Sequence, residues 1–243
     1  MIARGGLRAV FLDMDDTLCD TEGLTPRRLE AVQELLHGEI DSALLARVIS
    51  EAGGWDPLGD NERGRVNRLQ RMKDALKLND DQLARLRTRY NEVLYDNLKL
   101  IDGVSEMLAW LRKRVKLGLI TNGSSELQRT KIARLGINDS FDSITISGEI
   151  GFHKPDPELF DAALGSLAIE PDTALYAGDR PEFDIKGAQT VGVTSVLIQK
   201  KYDYPLPASP VAEFVIEDVT HVPRLIIEND WLAVAKNDGG VSE

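Results

Sequence analysis

The sequence predicts an α/β protein, a doubly wound parallel sheet with a small all-helical domain inserted after the first strand. Short apolar runs recur along the chain, and most of them end in polar or acidic residues. Helical patterns lie between most of these runs, which is the alternation expected of parallel strands joined by crossover helices. Residues 20–99 break the alternation, because they carry helical periodicity and hardly any strand signal.

Each candidate strand is a short apolar run, a pattern typical of a strand that is buried on both faces of a parallel sheet. Six such runs are present, at residues 8–12, 115–120, 143–146, 174–177, 194–198 and 213–216. Between them, helical patterns occupy residues 125–135, 157–168 and 184–191, and Gly136 and Gly192 close the first and the last of these.

The insert is predicted to hold four helices, because its apolar residues recur at helical spacing. The positions are Leu29, Val32, Leu35 and Leu36; Leu44, Leu45, Val48 and Ile49; Val66, Leu69, Met72 and Leu76; and Leu83, Leu86, Tyr90, Val93 and Leu94. We therefore expect an α/β core of residues 1–19 and 100–243 and a helical domain of residues 20–99, with hinges at residues 18–21 and 99–103.

Composition excludes several classes of partner. Of the 243 residues, 42% are hydrophobic and 28% are charged, which is enough apolar material for the core of one large domain or two small ones. Forty acidic and 29 basic residues give a net charge of −11. This charge repels nucleic-acid backbones and anionic membrane surfaces, so we expect no nucleic acid and no membrane as a partner.

The single cysteine, Cys19, cannot form an internal disulfide, which favours a reducing compartment. The first residues lack the apolar stretch of a signal peptide, and no window approaches the roughly 20 apolar residues of a membrane span. We expect a cytoplasmic protein that is a monomer or a homodimer. For Cys19 itself, a small buried thiol is favoured over a reactive one.

Acidic residues collect where the predicted strands end, which is where open parallel sheets bind their ligands. The first strand runs into DMDDT at residues 13–17, the second into TNG at 121–123, and the fourth into Gly178 and Asp179. Converging carboxylates repel one another unless a cation is bound, and an all-oxygen ligand set favours Mg²⁺. Together with Lys154, these residues indicate chemistry on a phosphate ester.

These four segments, in this order and spacing, resemble the four motifs of the haloacid dehalogenase-like (HAD) superfamily over residues 8–198, which implies a Rossmann-like core. The insert resembles the superfamily's alpha-helical cap in position and helical character. The resemblance implies that Asp13 is the nucleophile, which forms an aspartyl-phosphate, and that Asp15 is the general acid and base. It further implies that Thr121, Asn122 and Lys154 bind the phosphoryl group.

The resemblance also implies a Mg²⁺ site formed by Asp13, Asp179 and the backbone carbonyl of Asp15, with Asp184 holding Lys154 or a metal-bound water. Dehalogenases carry a tyrosine-like residue at the position of Asp15, because displacing halide needs no proton on the leaving group. Asp15 therefore favours a phosphatase.

The expected substrate is a small phosphorylated metabolite of the sugar phosphate, acylneuraminate phosphate or nucleoside monophosphate type. A beta-phosphoglucomutase-like phosphotransferase and a catalytically idle binding or regulatory module on the same fold are the alternatives. Since the core motifs grip only the phosphoryl group, we expect the insert to select the substrate.

Several of these residues also have ordinary structural interpretations. The acidic strand end alone fits a turn or a helix cap, Thr121 fits a cap, and an isolated lysine such as Lys154 is more often exposed. The basic residues at 63–77 fit either a solvated helix face or a surface that attracts an anionic substrate. Arg180-Pro181 in the fourth motif departs from the small polar residues that the superfamily usually has there.

Overall fold

The computed structural model describes residues 2–4, 6–53, 68–199 and 210–232. Its strands are β1 (Ala9–Leu12), β2 (Lys116–Thr121), β3 (Ser143–Ile146), β4 (Ala174–Gly178), β5 (Thr194–Ile198) and β6 (Phe214–Ile216). Its α-helices are α1 (Thr25–Leu36), α2 (Ser42–Gly53), α3 (Arg68–Leu76), α4 (Asp80–Asn97), α5 (Val104–Arg112), α6 (Ser125–Leu135), α7 (Ser147–Ile150), α8 (Pro157–Leu167), α9 (Lys186–Thr190) and α10 (Val222–Glu228). The α/β fold class is confirmed.

The six strands form one parallel sheet in the order β3-β2-β1-β4-β5-β6. The chain proceeds outward from β1 to β3 on one side and then returns to place β4 on the other side of β1. The strand order therefore reverses between β1 and β4, and the carboxyl ends of these two strands flank the crevice where such sheets bind ligands.

The register of the central strands determines where Asp13 lies along the sheet. Leu12, the last residue of β1, pairs with Leu119 of β2 and Ala177 of β4. The Asp13 backbone N–H then donates to the Ala177 carbonyl at 3.0 Å. Asp13 thus begins where the ladder of β1 ends, beside the last residues of β4.

A buried apolar layer against the sheet holds these strands rigid. Phe11, Phe160 and Tyr176 are all buried in it, and the rings of Phe160 and Tyr176 meet edge to face with centroids 5.2 Å apart. Phe11 lies over Gly118 of β2, where an added Cβ would stand 2.2 Å from the phenylalanine ring. Glycine at this position therefore lets the aromatic side chain close the layer.

The structure divides the chain into two compact units, one of Met1–Cys19 with Lys99–Glu243 and one of Asp20–Leu98. The second unit has its own hydrophobic core, contributed by α1 to α4. Its helix α4 begins at a capping box, in which Asn79 Oδ1 accepts from the Gln82 N–H and Gln82 Oε1 accepts from the Asn79 N–H.

Arg68 is a buried cation inside the helical unit, with only 3% of its surface exposed. Its guanidinium donates to Glu22 Oε1 at 3.0 Å, to Thr25 Oγ1 at 3.1 Å and to the Tyr90 hydroxyl at 3.0 Å. The solvated-face interpretation of residues 63–77 is therefore wrong for Arg68, because both terminal guanidinium nitrogens bind partners within the unit. Residues 63–67 of that stretch lie outside the described residues.

Some helix boundaries differ from the prediction for local reasons. Helix α5 was not predicted, although Val104, Met107, Leu108 and Leu111 are buried at helical spacing. The predicted helix at residues 184–191 is a π-helical turn, Pro181–Ile185, followed by the short α9. The start of the third insert helix at Val66 lies outside the described residues. In the described part of the chain, no helix is long and apolar enough to cross a membrane.

Candidate active site

Three carboxylates converge at the reversal of strand order. Asp13 follows β1, Asp179 follows β4, and Asp184 lies in the π-helical turn beyond β4. One carboxylate oxygen from each lies within 4.8 Å of the others, and all three side chains have low exposure. Carboxylates at this spacing repel one another in a buried setting, so the cluster needs positive charge or protons to form.

Lys154 supplies one positive charge to this cluster. Its ammonium group donates to Asp13 Oδ1 at 2.6 Å, to Asp184 Oδ1 at 2.7 Å and to the Tyr176 hydroxyl oxygen at 3.0 Å. The lysine is 4% exposed, and all three ammonium hydrogens have an acceptor. Lys154 is thus a buried part of the site and not the exposed residue that an isolated lysine suggests.

Asn122 holds the backbone of Lys154. Asn122 Oδ1 accepts from the Lys154 backbone N–H at 2.8 Å, and Asn122 Nδ2 donates to the Lys154 carbonyl at 3.2 Å. Both ends of the amide are thereby used to fix the loop that carries the lysine. The structure gives this side chain a positioning contact, and phosphate binding by Asn122 stays a prediction.

The charges in the cluster shift the pKa values of its members. Burial, with the neighbouring Asp184 and Asp179, raises the pKa of Asp13 well above its usual range, although Lys154 acts in the opposite direction. Burial lowers the pKa of Lys154, but attraction by Asp13 and Asp184 outweighs it and the pKa is raised. Burial and the adjacent carboxylates raise the pKa of Tyr176, so its phenol is neutral and donates to Asp184 Oδ1 at 2.8 Å.

The unusual residues of the fourth motif build the turn that positions Asp184. Pro181 begins the π-helical turn, and the Arg180 backbone N–H donates to Asp184 Oδ2 at 2.8 Å. Gly178 is required beneath this turn, because an added Cβ would lie 2.5 Å from the Asp184 carboxyl group. Arg180 also lies over the Phe183 ring, 5.3 Å from its centroid. The departure Arg180-Pro181 is therefore compatible with an ordered loop.

Asp15 has a different set of partners. Lys131 Nζ donates to both of its carboxylate oxygens, at 2.5 and 2.7 Å, and Gln128 Nε2 donates to Oδ2 at 2.9 Å. Burial alone raises the pKa of Asp15, but the Lys131 charge and the hydrogen bonds from Lys131 and Gln128 outweigh it and set the pKa below its usual range. Asp15 is therefore held as a carboxylate.

The chain turns sharply after Asp15. Asp16 has φ of 59°, in the left-handed region, and its N–H donates to the Cys19 carbonyl at 2.7 Å. Thr17 Oγ1 donates to the second oxygen of Asp13 at 3.3 Å. Asp13 and Asp15 thus pair with different cations, Lys154 and Lys131, just before this turn.

Thr121 ends β2 and is 1% exposed, with its hydroxyl 2.5 Å from Gln128 Nε2. The structure thus groups Asp13, Lys154, Asp179 and Asp184 by direct contact or short distance, and it joins Asp15 to Thr121 through Gln128. Cys19 is fully buried, and its thiol donates to the Met14 carbonyl at 3.5 Å. That burial agrees with the structural interpretation of Cys19.

Three residues of the site are not predicted from the sequence: Tyr176, Gln128 and Lys131. Tyr176 is hidden in an apolar strand run, where a tyrosine gives no distinctive signal. Gln128 and Lys131 do give one, because with Ile132 they occupy positions i, i+3 and i+4 on the buried face of α6. Polar residues on a helical face that should be apolar indicate buried polar partners.

Comparison with known proteins identifies the same family that the four motifs resemble. Residues 7–192 match the family model of haloacid dehalogenase-like hydrolases. N-acylneuraminate-9-phosphatase of Mus musculus is 28% identical over 90% of this chain and 94% of its own length. Glyceraldehyde 3-phosphate phosphatase of Pyrococcus furiosus is 31% identical over 90% of this chain and 92% of its own.

Among solved structures, the HAD phosphatase from Thermococcus onnurineus has a TM-score of 0.66 at 25% identity, covering 90% of this chain and 98% of its own. The putative HAD-hydrolase YfnB from Bacillus subtilis shares the fold, with a TM-score of 0.71 at 23% identity, covering 92% and 99%. The motifs, the sheet order and the family match agree, and the chain belongs to the haloacid dehalogenase-like hydrolase family.

Proposed function

We propose that this protein is a Mg²⁺-dependent phosphatase that hydrolyses a small phosphorylated metabolite through an aspartyl-phosphate on Asp13. The observation that carries the proposal is the buried cluster at the end of β1 and β4, in which Lys154 binds Asp13 directly and two further carboxylates lie alongside. The relatives are named as phosphatases, and this supports the same reaction class.

The donor set fits a hard divalent cation. Asp13, Asp179 and Asp184 each offer a carboxylate oxygen, and these oxygens lie within 4.8 Å of one another, which is an oxygen donor set of the kind that Mg²⁺ prefers. Asp184 already accepts from Lys154, Tyr176 and Arg180, which leaves Asp13 and Asp179, with the Asp15 backbone carbonyl, as the proposed Mg²⁺ ligands. When bound, Mg²⁺ would neutralise charge on the substrate phosphate and orient it.

In the first half of the reaction, an oxygen of Asp13 attacks phosphorus and the bond from phosphorus to the ester oxygen breaks. Asp15 is a carboxylate in the free site, so it first takes up a proton as the anionic phosphate ester binds, because nearby negative charge favours the protonated form. It then donates this proton to the departing oxygen, so an alcohol leaves and an aspartyl-phosphate remains. Lys154, 2.6 Å from Asp13, offsets the negative charge that develops on the phosphoryl oxygens. Thr121, at the end of β2, binds one of those oxygens.

In the second half, water attacks the phosphorus of the aspartyl-phosphate. Asp15 takes a proton from this water, and the bond between phosphorus and the Asp13 oxygen breaks. Inorganic phosphate leaves, Asp13 is again a carboxylate, and Asp15 releases the proton to return to the carboxylate of the free site. Because Asp13 attacks phosphorus and Asp15 transfers the protons, the two carboxyl groups must face the phosphoryl group from separately held positions.

We propose a sugar phosphate type of substrate, in keeping with the acylneuraminate and glyceraldehyde phosphates in the relatives' names. The test is phosphate release from a panel of sugar phosphates, acylneuraminate phosphate and nucleoside monophosphates with Mg²⁺, comparing wild type with Asp13→Asn. We expect release from at least one class and a loss of several orders of magnitude in the variant. An inactive wild type favours the idle module, and isomerisation without release favours a phosphotransferase.

A further inference from the structure

We propose that Lys131 and Gln128 of α6 are positioning residues that fix the direction of the Asp15 carboxylate and couple it to Thr121. This inference rests on the proposed function, in which Asp15 exchanges a proton with the leaving oxygen and with water. It adds two residues outside the four motifs to the reaction. Neither residue needs to touch the substrate, because both act through Asp15 and Thr121.

Lys131 holds Asp15 by both oxygens. Its ammonium group lies 2.5 Å from Asp15 Oδ1 and 2.7 Å from Oδ2, and the lysine side chain is 5% exposed. A contact to both oxygens opposes rotation of the carboxyl group, which a contact to one oxygen permits. The chain therefore commits a second buried ammonium group to this site, separate from Lys154, which binds Asp13.

Gln128 connects Asp15 with the second motif. Its Nε2 lies 2.9 Å from Asp15 Oδ2, 2.5 Å from Thr121 Oγ1 and 3.0 Å from the Asn122 carbonyl, so its two hydrogens are shared among three acceptors. The carboxylate and the carbonyl are acceptors only, so the amide nitrogen must face them and the orientation of the amide is settled. Gln128 thus contacts both Asp15, the proposed general acid and base, and Thr121, the proposed phosphate ligand.

The local structure makes room for this contact and holds it rigidly. Gly123 has φ of +149°, and an added Cβ there would lie 2.9 Å from the Gln128 side chain. Helix α6 is fixed at both ends, because Ser124 caps the Leu127 N–H and Gly136 closes the helix in the left-handed conformation. Gln128 and Lys131 are one turn apart on this helix, so both reach the same carboxylate.

This arrangement predicts a loss that depends on the leaving group. If Lys131 only supported the fold, its removal would slow all substrates alike. If Lys131 directs Asp15, its removal slows alkyl phosphates, whose alkoxide needs a proton, and largely spares p-nitrophenyl phosphate, whose phenolate leaves unaided.

The experiment compares kcat/KM, which covers the steps up to departure of the ester oxygen, for glycerol phosphate and p-nitrophenyl phosphate in wild type, Lys131→Met, Lys131→Arg and Gln128→Met. We expect Lys131→Met to lower kcat/KM for the alkyl ester by about ten- to a hundredfold more than for the aryl ester. Lys131→Arg keeps two donors for the carboxylate and should recover most of the difference. Arg129→Met is the matched control, because Arg129 lies on the same helix and pairs with the exposed Glu149.

A double-mutant comparison tests whether Lys131 acts through Asp15. In an Asp15→Asn background, Lys131→Met should leave the ratio of the two kcat/KM values unchanged. Equal losses on both substrates in folded Lys131→Met, or a further change of ratio in the Asp15→Asn background, overturn the proposal while the phosphatase assignment stands. If Lys131→Met does not fold, Gln128→Met decides by the same ratio. A wild type that releases no phosphate overturns both proposals.

Discussion

Replacing Lys154 with methionine removes the ammonium group that pairs with both Asp13 and Asp184. Asp13 and Asp184, now 2.6 and 2.7 Å from that ammonium, then face each other and Asp179 in a buried setting. Breaking a buried ion pair from one side costs about 3–5 kcal/mol, because the remaining charge is left without compensation. For a unit of this size, about 2–4 °C of melting temperature corresponds to each kcal/mol, so we expect a fall of about 6–20 °C.

The measurement is the unfolding midpoint in urea and by heat, with EDTA present to keep the cluster free of metal. Lys116→Met is the control, because its pair with Asp142 is exposed and should contribute no more than about 1 kcal/mol. Adding Asp184→Asn to Lys154→Met should restore part of the loss by removing one of the stranded charges. A Lys154→Met protein as stable as Lys116→Met refutes the electrostatic reasoning.

Other outcomes follow from single features of the structure. Chelation by EDTA should abolish phosphate release and Mg²⁺ should restore it, with Ca²⁺ a poor substitute because of its larger, looser coordination shell; full activity without metal contradicts this. Arg68→Met should destabilise the helical unit by about 1–3 kcal/mol in urea, because it removes the buried hydrogen bonds to Thr25 and Tyr90, against about 1 kcal/mol or less for Lys73→Met, whose partner Asp80 is exposed. Burial raises the pKa of Cys19, so the contribution of this thiol to the free energy of unfolding is complete below the unfolded thiol's pKa of about 8.5 and is lost as pH rises above it. Native Cys19 should also react with a thiol reagent far more slowly than the unfolded chain at pH 8.

The sheet was predictable because each strand is a short apolar run that ends in a polar residue. The run at residues 143–146 and the run at 194–198 coincide with β3 and β5, and the first run differs from β1 by one residue. The reversal of strand order could not be predicted from these runs, because strand pairing depends on how the crossover helices pack. Helix α5 had the apolar spacing of a helix, but it lies between the predicted hinge at residues 99–103 and the second predicted strand, where no helix was predicted.

The candidate site was predictable where short motifs follow strand ends, as for Asp13 and Asp179. Its supporting contacts were not, because they join residues that are far apart in sequence. Lys131 and Asp15 are 116 residues apart, and Lys154 and Asp13 are 141 apart. Charge alone also misleads, since Arg68 in a basic stretch is buried against Glu22 while Lys73 nearby pairs with an exposed carboxylate.

The most direct test of a covalent mechanism on Asp13 is to trap the intermediate. The protein is mixed with Mg²⁺ and a phosphate ester that it hydrolyses, quenched in acid during turnover and treated with borohydride, which reduces an acyl phosphate to an alcohol and leaves a free carboxylate unchanged. Mass spectrometry of the peptide that contains residues 8–19 then locates the change. We expect reduction at Asp13 in the wild type and none without substrate. Phosphate release at the normal rate with Asp13 unmodified contradicts the covalent mechanism.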